Sequence, residues 1–340
     1  MLARLLTPIR LAAAGVVVLA ATLAIFVTQG SDHYLEIPDV AHPLAGLVKV
    51  EGAKPGADRG GIYYVDVLVK QASLLESLVP TFRPDGSTLI QRQQLFQPGV
   101  SERQRIQLEL ADMKVSQLVA STVALRQLGY RVPVRPGGLR VVAVTSNSHA
   151  VGVLKPGDVI VAADGKPVRE RLDLRRILAR HRVGDVVKLG IRRGNARLTV
   201  RVRTTSDDLV PKQPIIGVLP IQALDVHFPF SIHFNLGDVG GPSAGLAFAL
   251  ELLEKRGHDV DHGYKVAATG EMQLDGTVTR IGGIQQKTLG ARKAHVDVFL
   301  VPVDGDNARE AKRYAHGLRI IPVESFQQAL QALATLRRKS

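Results

Sequence analysis

Residues 239–257 read VGGPSAGLAFALELLEKRG, and residues 279–296 read TRIGGIQQKTLGARKAHV. Both stretches begin among small residues and then take up helical spacing. In the first, Leu246, Ala249, Leu250 and Leu253 share one face, and Gly257 suits a C-terminal stop. Ser243 therefore falls at the helix N-terminus, where backbone N–H groups lack intrahelical partners and the dipole is positive. Gly240, Gly241 and Pro242 before it suit a tight approach. In the second stretch a helix opening near Ile284 groups Lys287 with Ile284, Ala291 and Ala294, and turns Gln285, Arg292 and Lys293 elsewhere. A lysine on an apolar stripe is desolvated, its pKa falls, and the neutral amine can accept a serine proton. Ser243 and Lys287 are thus candidates for nucleophile and base, with no histidine required. Taken singly, each also has a plain structural reading, an N-cap serine and a lysine snorkelling from the edge of its stripe.

The joint context resembles the proteolytic domain of the Lon family of serine proteases. The resemblance rests on GPSAG around Ser243, TGEMQLDGTVTRIGGIQQK ending at Lys287, and ARKAHVDVFLVP after it, and it places that domain over residues 210–338. It implies Ser243 as nucleophile, Lys287 as general base, Thr269 as a supporting residue near the lysine, and protein or peptide substrates. ATP-dependent members commonly carry an acidic residue directly before GPSAG, where this chain has Gly240. No G-x-x-x-x-G-K-[ST] phosphate loop occurs, so no unfolding by ATP hydrolysis and no cofactor are expected. GPSAG also fits the G-x-S-x-G nucleophile elbow of α/β-hydrolases, for which Asp297, Asp304, His295 and His316 offer acid and base. A non-catalytic, membrane-tethered binding or assembly protein is the other class that remains open.

Residues 131–206 resemble a PDZ domain. LKPGDVIVAADGKPV carries the resemblance, flanked by the strand-like LRVVAVTS, VVKLGIRR and ARLTVRVRT and the helix-like LDLRRILARHR. In that family an extended peptide adds a strand to the sheet edge, its carboxylate held by N–H groups in the loop before the first strand. The resemblance makes Pro136, Gly137, Gly138 and Leu139 the candidate loop for a peptide C-terminus.

At the N-terminus, LAAAGVVVLAATLAIFV (11–27) is uncharged. With its flanks it predicts a transmembrane helix over 11–29. Arg4 and Arg10 precede it and Asp32 and Glu36 follow, which predicts residues 1–10 in the cytoplasm and the rest outside. A cleaved signal is the competing reading. The order of anchor, PDZ domain and protease resembles a bacterial membrane-bound family of Lon-type proteases, and Lon-type domains often assemble as rings, so a homo-oligomer is an expectation from resemblance. The chain has no cysteine, so disulfides cannot brace an exported body. Its net charge of +13 is spread over candidate helices and strands with only 4% aromatic residues, which argues against nucleic acid as a partner. The histidines are scattered and no H-E-x-x-H occurs, so no metal site is expected. Residues 35–130 read as an α+β connecting region whose long amphipathic helix carries Ile106, Leu110, Met113, Leu118 and Leu125 and packs on the PDZ-like unit or a neighbouring subunit. The expected fold class is α+β: transmembrane helix, PDZ-like domain, Lon-type proteolytic domain.

Overall fold

The computed structural model describes residues 8–54, 60–95, 99–206, 210 and 212–339, with side chains from residue 12 onward. The apolar N-terminal run forms one helix, α1 (Pro8–Thr28). Thr22 and Thr28 return their hydroxyls to the carbonyls of Val18 and Ala24 at 2.8 and 2.7 Å, which masks their polarity. Val16 and Leu19 are 66% and 71% exposed, so the helix stands off the body. Among the described residues no helix is long and apolar enough to cross a membrane, and the expected span over 11–29 finds no support. Most of the segment expected in the cytoplasm, residues 1–7, lies outside the described residues.

The chain continues through β1 (Gly30–Pro38), β2 (Gly61–Tyr64), β3 (Val67–Ser73), β4 (Thr88–Gln91) and the long helix α2 (Glu102–Gln127). Strands β3, β1 and β4 make a small antiparallel sheet. Ser101 caps α2, its hydroxyl accepting from the Gln104 N–H while the Gln104 side chain accepts from the Ser101 N–H.

The middle of the chain builds β5 (Val134–Val144), β6 (Val159–Ala163), α3 (Arg171–Leu178), β7 (Val186–Arg193), β8 (Ala196–Arg203) and β9 (Val218–Val226). They form a sheet ordered β8-β7-β6-β5-β9, with every pairing antiparallel. Leu139, Ile160, Leu189 and Ile191 meet Leu174, Ile177 and Leu178 of α3 in one core. The KPGD turn is fixed by Asp158, whose carboxylate accepts from the Lys155 N–H and from both Nε and Nη2 of Arg193.

The last third supplies α4 (Gly245–Lys255), β10 (Lys265–Ala268), α5 (Ile284–Lys293), β11 (Val298–Pro302), α6 (Asn307–Tyr314), β12 (Arg319–Val323) and α7 (Phe326–Ala334). Strands β2, β10, β11 and β12 lie side by side and parallel, with the short strand His42–Pro43 antiparallel at the β2 edge. Val266 and Leu300 face α4, α2 and α7 in one core, whereas Ala267 and Phe299 face α5 and α6 in another. Helices on both faces explain why β11 is buried at every position. The architecture is a mixed α/β fold, with an antiparallel middle unit and a parallel three-layer unit.

The stretch expected to be a connector is part of that three-layer unit. Leu44, Val48, Ile62, Tyr64, Met113 and Val119 belong to the same core as Phe248 and Leu250 of α4. Buried side chains of α2 run from Met113 to Leu125, while Ile106 is exposed. The helix packs on α4 and on β9 and β5 of the middle sheet.

Candidate active site

Ser243 lies just before α4, whose N-cap is Ala244, within one residue of the position expected. Helix α4 is buried on all sides from Gly245 to Leu253, instead of presenting one apolar face. Lys287 lies on the first turn of α5, opened by Gly283 with φ +65. Its neighbours are those expected: Ile284 and Ala291 are buried and Lys293 is exposed. The two side chains meet, Lys287 Nζ lying 2.7 Å from Ser243 Oγ. Lys287 is 5% exposed, and burial lowers its pKa to about 8 against the opposing pull of Asp66 and Glu36.

Two elements hold the serine. Thr269, at the carboxyl end of β10, donates its hydroxyl to the Ser243 carbonyl at 3.1 Å, and the Gly270 N–H reaches the same oxygen at 2.8 Å. The expected support near the lysine is therefore exerted on the backbone of the serine. Helix α2 holds the other side: the Gly241 N–H donates to the Glu109 carbonyl at 2.8 Å, and Ser116 Oγ donates to the Pro242 carbonyl at 3.0 Å. Gly241, at φ +88, adopts a conformation that favours glycine. At Gly240 a Cβ would lie 2.7 Å from Glu109 Cβ, so α2 fills the space that a side chain before GPSAG would need. Helix α5 is pressed as closely on the segment before β2, since a Cβ at Gly290 would lie 1.9 Å from the Asp39 carbonyl oxygen.

The pair opens into a cleft of about 1000 Å³. Glu36, Asp39, Asp66, Glu109, Asp238 and Glu271 line it, together with Arg105 and Arg280. Burial raises the pKa values of Asp66 and Glu36, and Lys287 draws both back down. Asp66 Oδ1 is buried without a hydrogen-bond partner among the described residues, and His42 Nε2 lies 4.0 Å from it. His42 stacks on Tyr64 and reaches Asp39 Oδ2 at 3.3 Å. Asp39, His42 and Asp66 each offer one atom within 4.8 Å of the others, a trio whose donors could approach a cation and which scattered histidines in the sequence did not suggest.

Glu36, Asp66 and the place of α2 beside Ser243 escaped sequence reasoning. The available signal was a carboxylate within an otherwise apolar run, as in YLEIP and YYVDVLV. The residues for a hydrolase triad are not gathered at Ser243. His295, His316 and Asp297 line a different cavity, and Asp297 is engaged by Lys339 and the Lys265 N–H.

Gly137, Gly138 and Leu139 do not form a loop. They lie within β5, between β9 on one side and β6 on the other. Gly138, at φ +97, is required where the strand approaches its neighbour, because a Cβ there would sit 2.3 Å from the Ile160 carbonyl oxygen. Two glycines and a proline, which suggest a loop in sequence, here permit a bulged strand.

Residues 126–204 match the PDZ domain family, and residues 182–335 match the Lon protease (S16) C-terminal proteolytic domain. The chain carries a PDZ domain and a Lon-type proteolytic domain. Together the matches support a PDZ-containing serine peptidase of the Lon type. The matches overlap over 182–204, where the structure assigns β7 and β8 to the PDZ core through Val187, Leu189 and Val202. Lon protease of Clostridium beijerinckii is 37% identical over 123 residues, covering 33% of this chain and 15% of that protein. Lon protease 1 of Sorangium cellulosum is 36% identical over 127 residues, covering 36% and 14%. The chain thus spans about 15% of the length of these relatives. Among solved structures, the PDZ domain of an SdrC-like protein from Listeria monocytogenes is 26% identical, covering 25% of this chain and 88% of that one, with a TM-score of 0.23.

Proposed function

We propose that this chain is a serine endopeptidase in which Ser243 attacks the substrate carbonyl and Lys287 is the general base. One observation carries the reading: a buried lysine with a lowered pKa lies in hydrogen-bonding contact with the serine that precedes a buried helix. In the neutral state Nζ takes the Oγ proton as the Oγ–C bond forms. The oxyanion develops beside the opening turn of α4, where N–H groups precede the first intrahelical acceptors. The protonated lysine then gives its proton to the leaving nitrogen as the C–N bond breaks, leaving an acyl-enzyme. A water, deprotonated by the same amine, releases the acid and restores Ser243. No step calls for a nucleotide.

The lining of the cleft supports peptides as substrates and favours basic side chains near the scissile bond, because its carboxylates outnumber its arginines in a chain that is otherwise strongly basic. The exposed apolar surface of α1 supports association of the protein with a bilayer, with the proteolytic unit held near it. Recovery of the full chain in the soluble fraction of a vesicle flotation assay would remove that part of the proposal.

The dyad is tested by cleavage of an unfolded protein without ATP, and by mass spectrometry after reaction with a serine-directed phosphonate. The expected result is an adduct on Ser243 and loss of both reactions in folded Ser243→Ala and Lys287→Ala proteins. Undiminished cleavage by either variant would exclude the dyad.

A further inference from the structure

The outer face of the PDZ sheet gathers arginines. Arg197 of β8 lies opposite Arg192 of β7, Arg192 opposite Val159 of β6, and Val159 opposite Arg140 of β5. One row across four strands therefore carries three arginines, and two of them face each other directly, an arrangement that repels. Val187, Leu189 and Ile191 alternate with the outward positions of β7 and fill the core on the opposite face.

The bulge in β5 adds a fourth. Leu139 is opposite Gln222 and Pro136 opposite Leu224, so Gly137 and Gly138 together face Ala223. In a regular strand Arg135 and Arg140 would fall on opposite faces, and the extra residue puts them on the same one. Arg135, Arg140 and Arg192, with Arg169 from the turn ahead of α3, line a cavity of about 550 Å³. Its one carboxylate, Asp225, lies 3.7 Å from His227 Nδ1. None of the four arginines forms an ion pair among the described residues, whereas Arg193, next along β7, is paired with Asp158. The cavity shares Pro136, Arg169 and Leu224 with another of about 680 Å³ between α2 and the PDZ domain, and that one shares Pro242 and Glu271 with the cleft at Ser243. Adjoining cavities thus run from the serine to the arginines.

We propose that the arginine cavity on the PDZ sheet binds an acidic stretch of polypeptide, further along the chain that presents its scissile bond to Ser243. Guanidinium groups take carboxylates in bidentate pairs, and side chains on one face of an extended chain recur about every 7 Å, so several carboxylates can be engaged in a row. The recess and its continuity with the cleft favour an extended chain over a bilayer surface. The carboxylates of the cleft repel the same stretch, which keeps it at the arginines and away from the bond to be cut. That the bound polypeptide is the one being cleaved rests on the peptidase reading above, and the binding site itself does not.

The test uses the full chain carrying Ser243→Ala, so that no probe is cleaved, and a fluorescent peptide with glutamate at alternate positions, its glutamine counterpart serving as reference. Anisotropy should show the acidic peptide binding about tenfold more tightly than the glutamine peptide, with an affinity that falls as salt is raised. An added Arg140→Ser/Arg192→Ser pair should abolish that preference. Arg175→Ser/Arg176→Ser, which removes exposed arginines of α3 that do not line the cavity, should preserve it. With Ser243 intact, a cleavable peptide extended by the acidic stretch should show a lower KM than its glutamine counterpart, and the Arg140→Ser/Arg192→Ser pair should remove that advantage at unchanged kcat. No preference for glutamate, an equal loss in both arginine pairs, a KM indifferent to the acidic stretch in an active protein, or phosphatidylglycerol vesicles bound through these arginines in place of the peptide would each overturn the proposal. Acidic-peptide binding that depends on Arg140 and Arg192 in a protein that cleaves nothing would leave the binding site standing and remove the peptidase reading.

Discussion

Asp158 in the PDZ domain and Lys287 in the proteolytic domain are both charged residues taken out of water, 1% and 5% exposed, and their surroundings treat them in opposite ways. Asp158 receives two hydrogen bonds from the Arg193 guanidinium and one from a backbone N–H. The Arg193 contacts hold its carboxyl below the usual range. Lys287 meets a serine hydroxyl, while Asp66 and Glu36 act on it at longer range, and desolvation prevails. A satisfied buried charge supports the fold around it, whereas an under-compensated one costs stability and leaves a reactive amine.

The largest consequence of this contrast concerns activity. Ser243→Ala and Lys287→Ala should each reduce peptide hydrolysis about a thousandfold or more, because in the proposed mechanism nucleophile and base act as one unit. Asp158→Asn should leave the dyad intact, and a rate per folded molecule matching the parent's would check this. If Asp158→Asn abolished catalysis in the folded state, the two units would not be separable as described.

Stability should reverse the order. Lys287→Met removes a desolvated charge and should stabilise the protein by roughly 2–3 kcal/mol at pH 7. Asp158→Asn should destabilise it by about 2 kcal/mol, less than a fully enclosed pair would lose, because Arg193 reaches solvent. Denaturant midpoints for the two variants check both signs. The pH dependences differ as well. The depressed carboxyl of Asp158 contributes stability that is present above its unfolded pKa, near 4, and lost as pH falls through the folded value. The pKa of Lys287 falls from 10.5 to about 8 on folding, so between those values the unfolded chain binds more protons and stability rises with pH.

The proposed catalysis by the neutral amine sets the next effect. With chemistry rate-limiting, kcat/KM should rise about tenfold per pH unit up to a pH near 8, where the lysine loses its proton, and level off above it. A flat profile across that range, on a substrate without titrating groups, would remove Lys287 from the role of base.

The meeting of Ser243 and Lys287 was legible because both residues are announced locally. Ser243 follows glycines at a helix start, and Lys287 shares an apolar stripe with Ile284 and Ala291, and local spacing alone brings such features out. Residues that act across the chain were not legible. Glu109 closes the space beside Gly240 from a helix more than a hundred residues earlier, and no periodicity links the two. The segment with Gly137 and Gly138 has loop composition and becomes a strand because β6 and β9 both claim its backbone. For the same reason β9 belongs by sequence position to the proteolytic region and by pairing to the PDZ sheet. The helical period of α2 was visible, but its buried half is chosen by α4, which packs against it.

The smallest effect separates the two ways of treating charge most finely, because it changes the compensation of Lys287 without touching the dyad. Asp66 follows β2 at the carboxyl end of the parallel sheet and is the stronger of the two carboxylates that hold the lysine's pKa up. Asp66→Asn keeps the size of the side chain and removes its charge. The lysine then loses part of its compensation, and its pKa falls further. The midpoint of the pH–rate profile should move to lower pH by less than about one unit, and activity at pH 6–7 should rise, provided the neutral amide leaves the cleft in place. Asp158→Asn, far from the lysine, should leave that midpoint unchanged. A midpoint that moves upward in Asp66→Asn would mean that Asp66 acts mainly by shaping the cleft, and that desolvation alone governs the lysine.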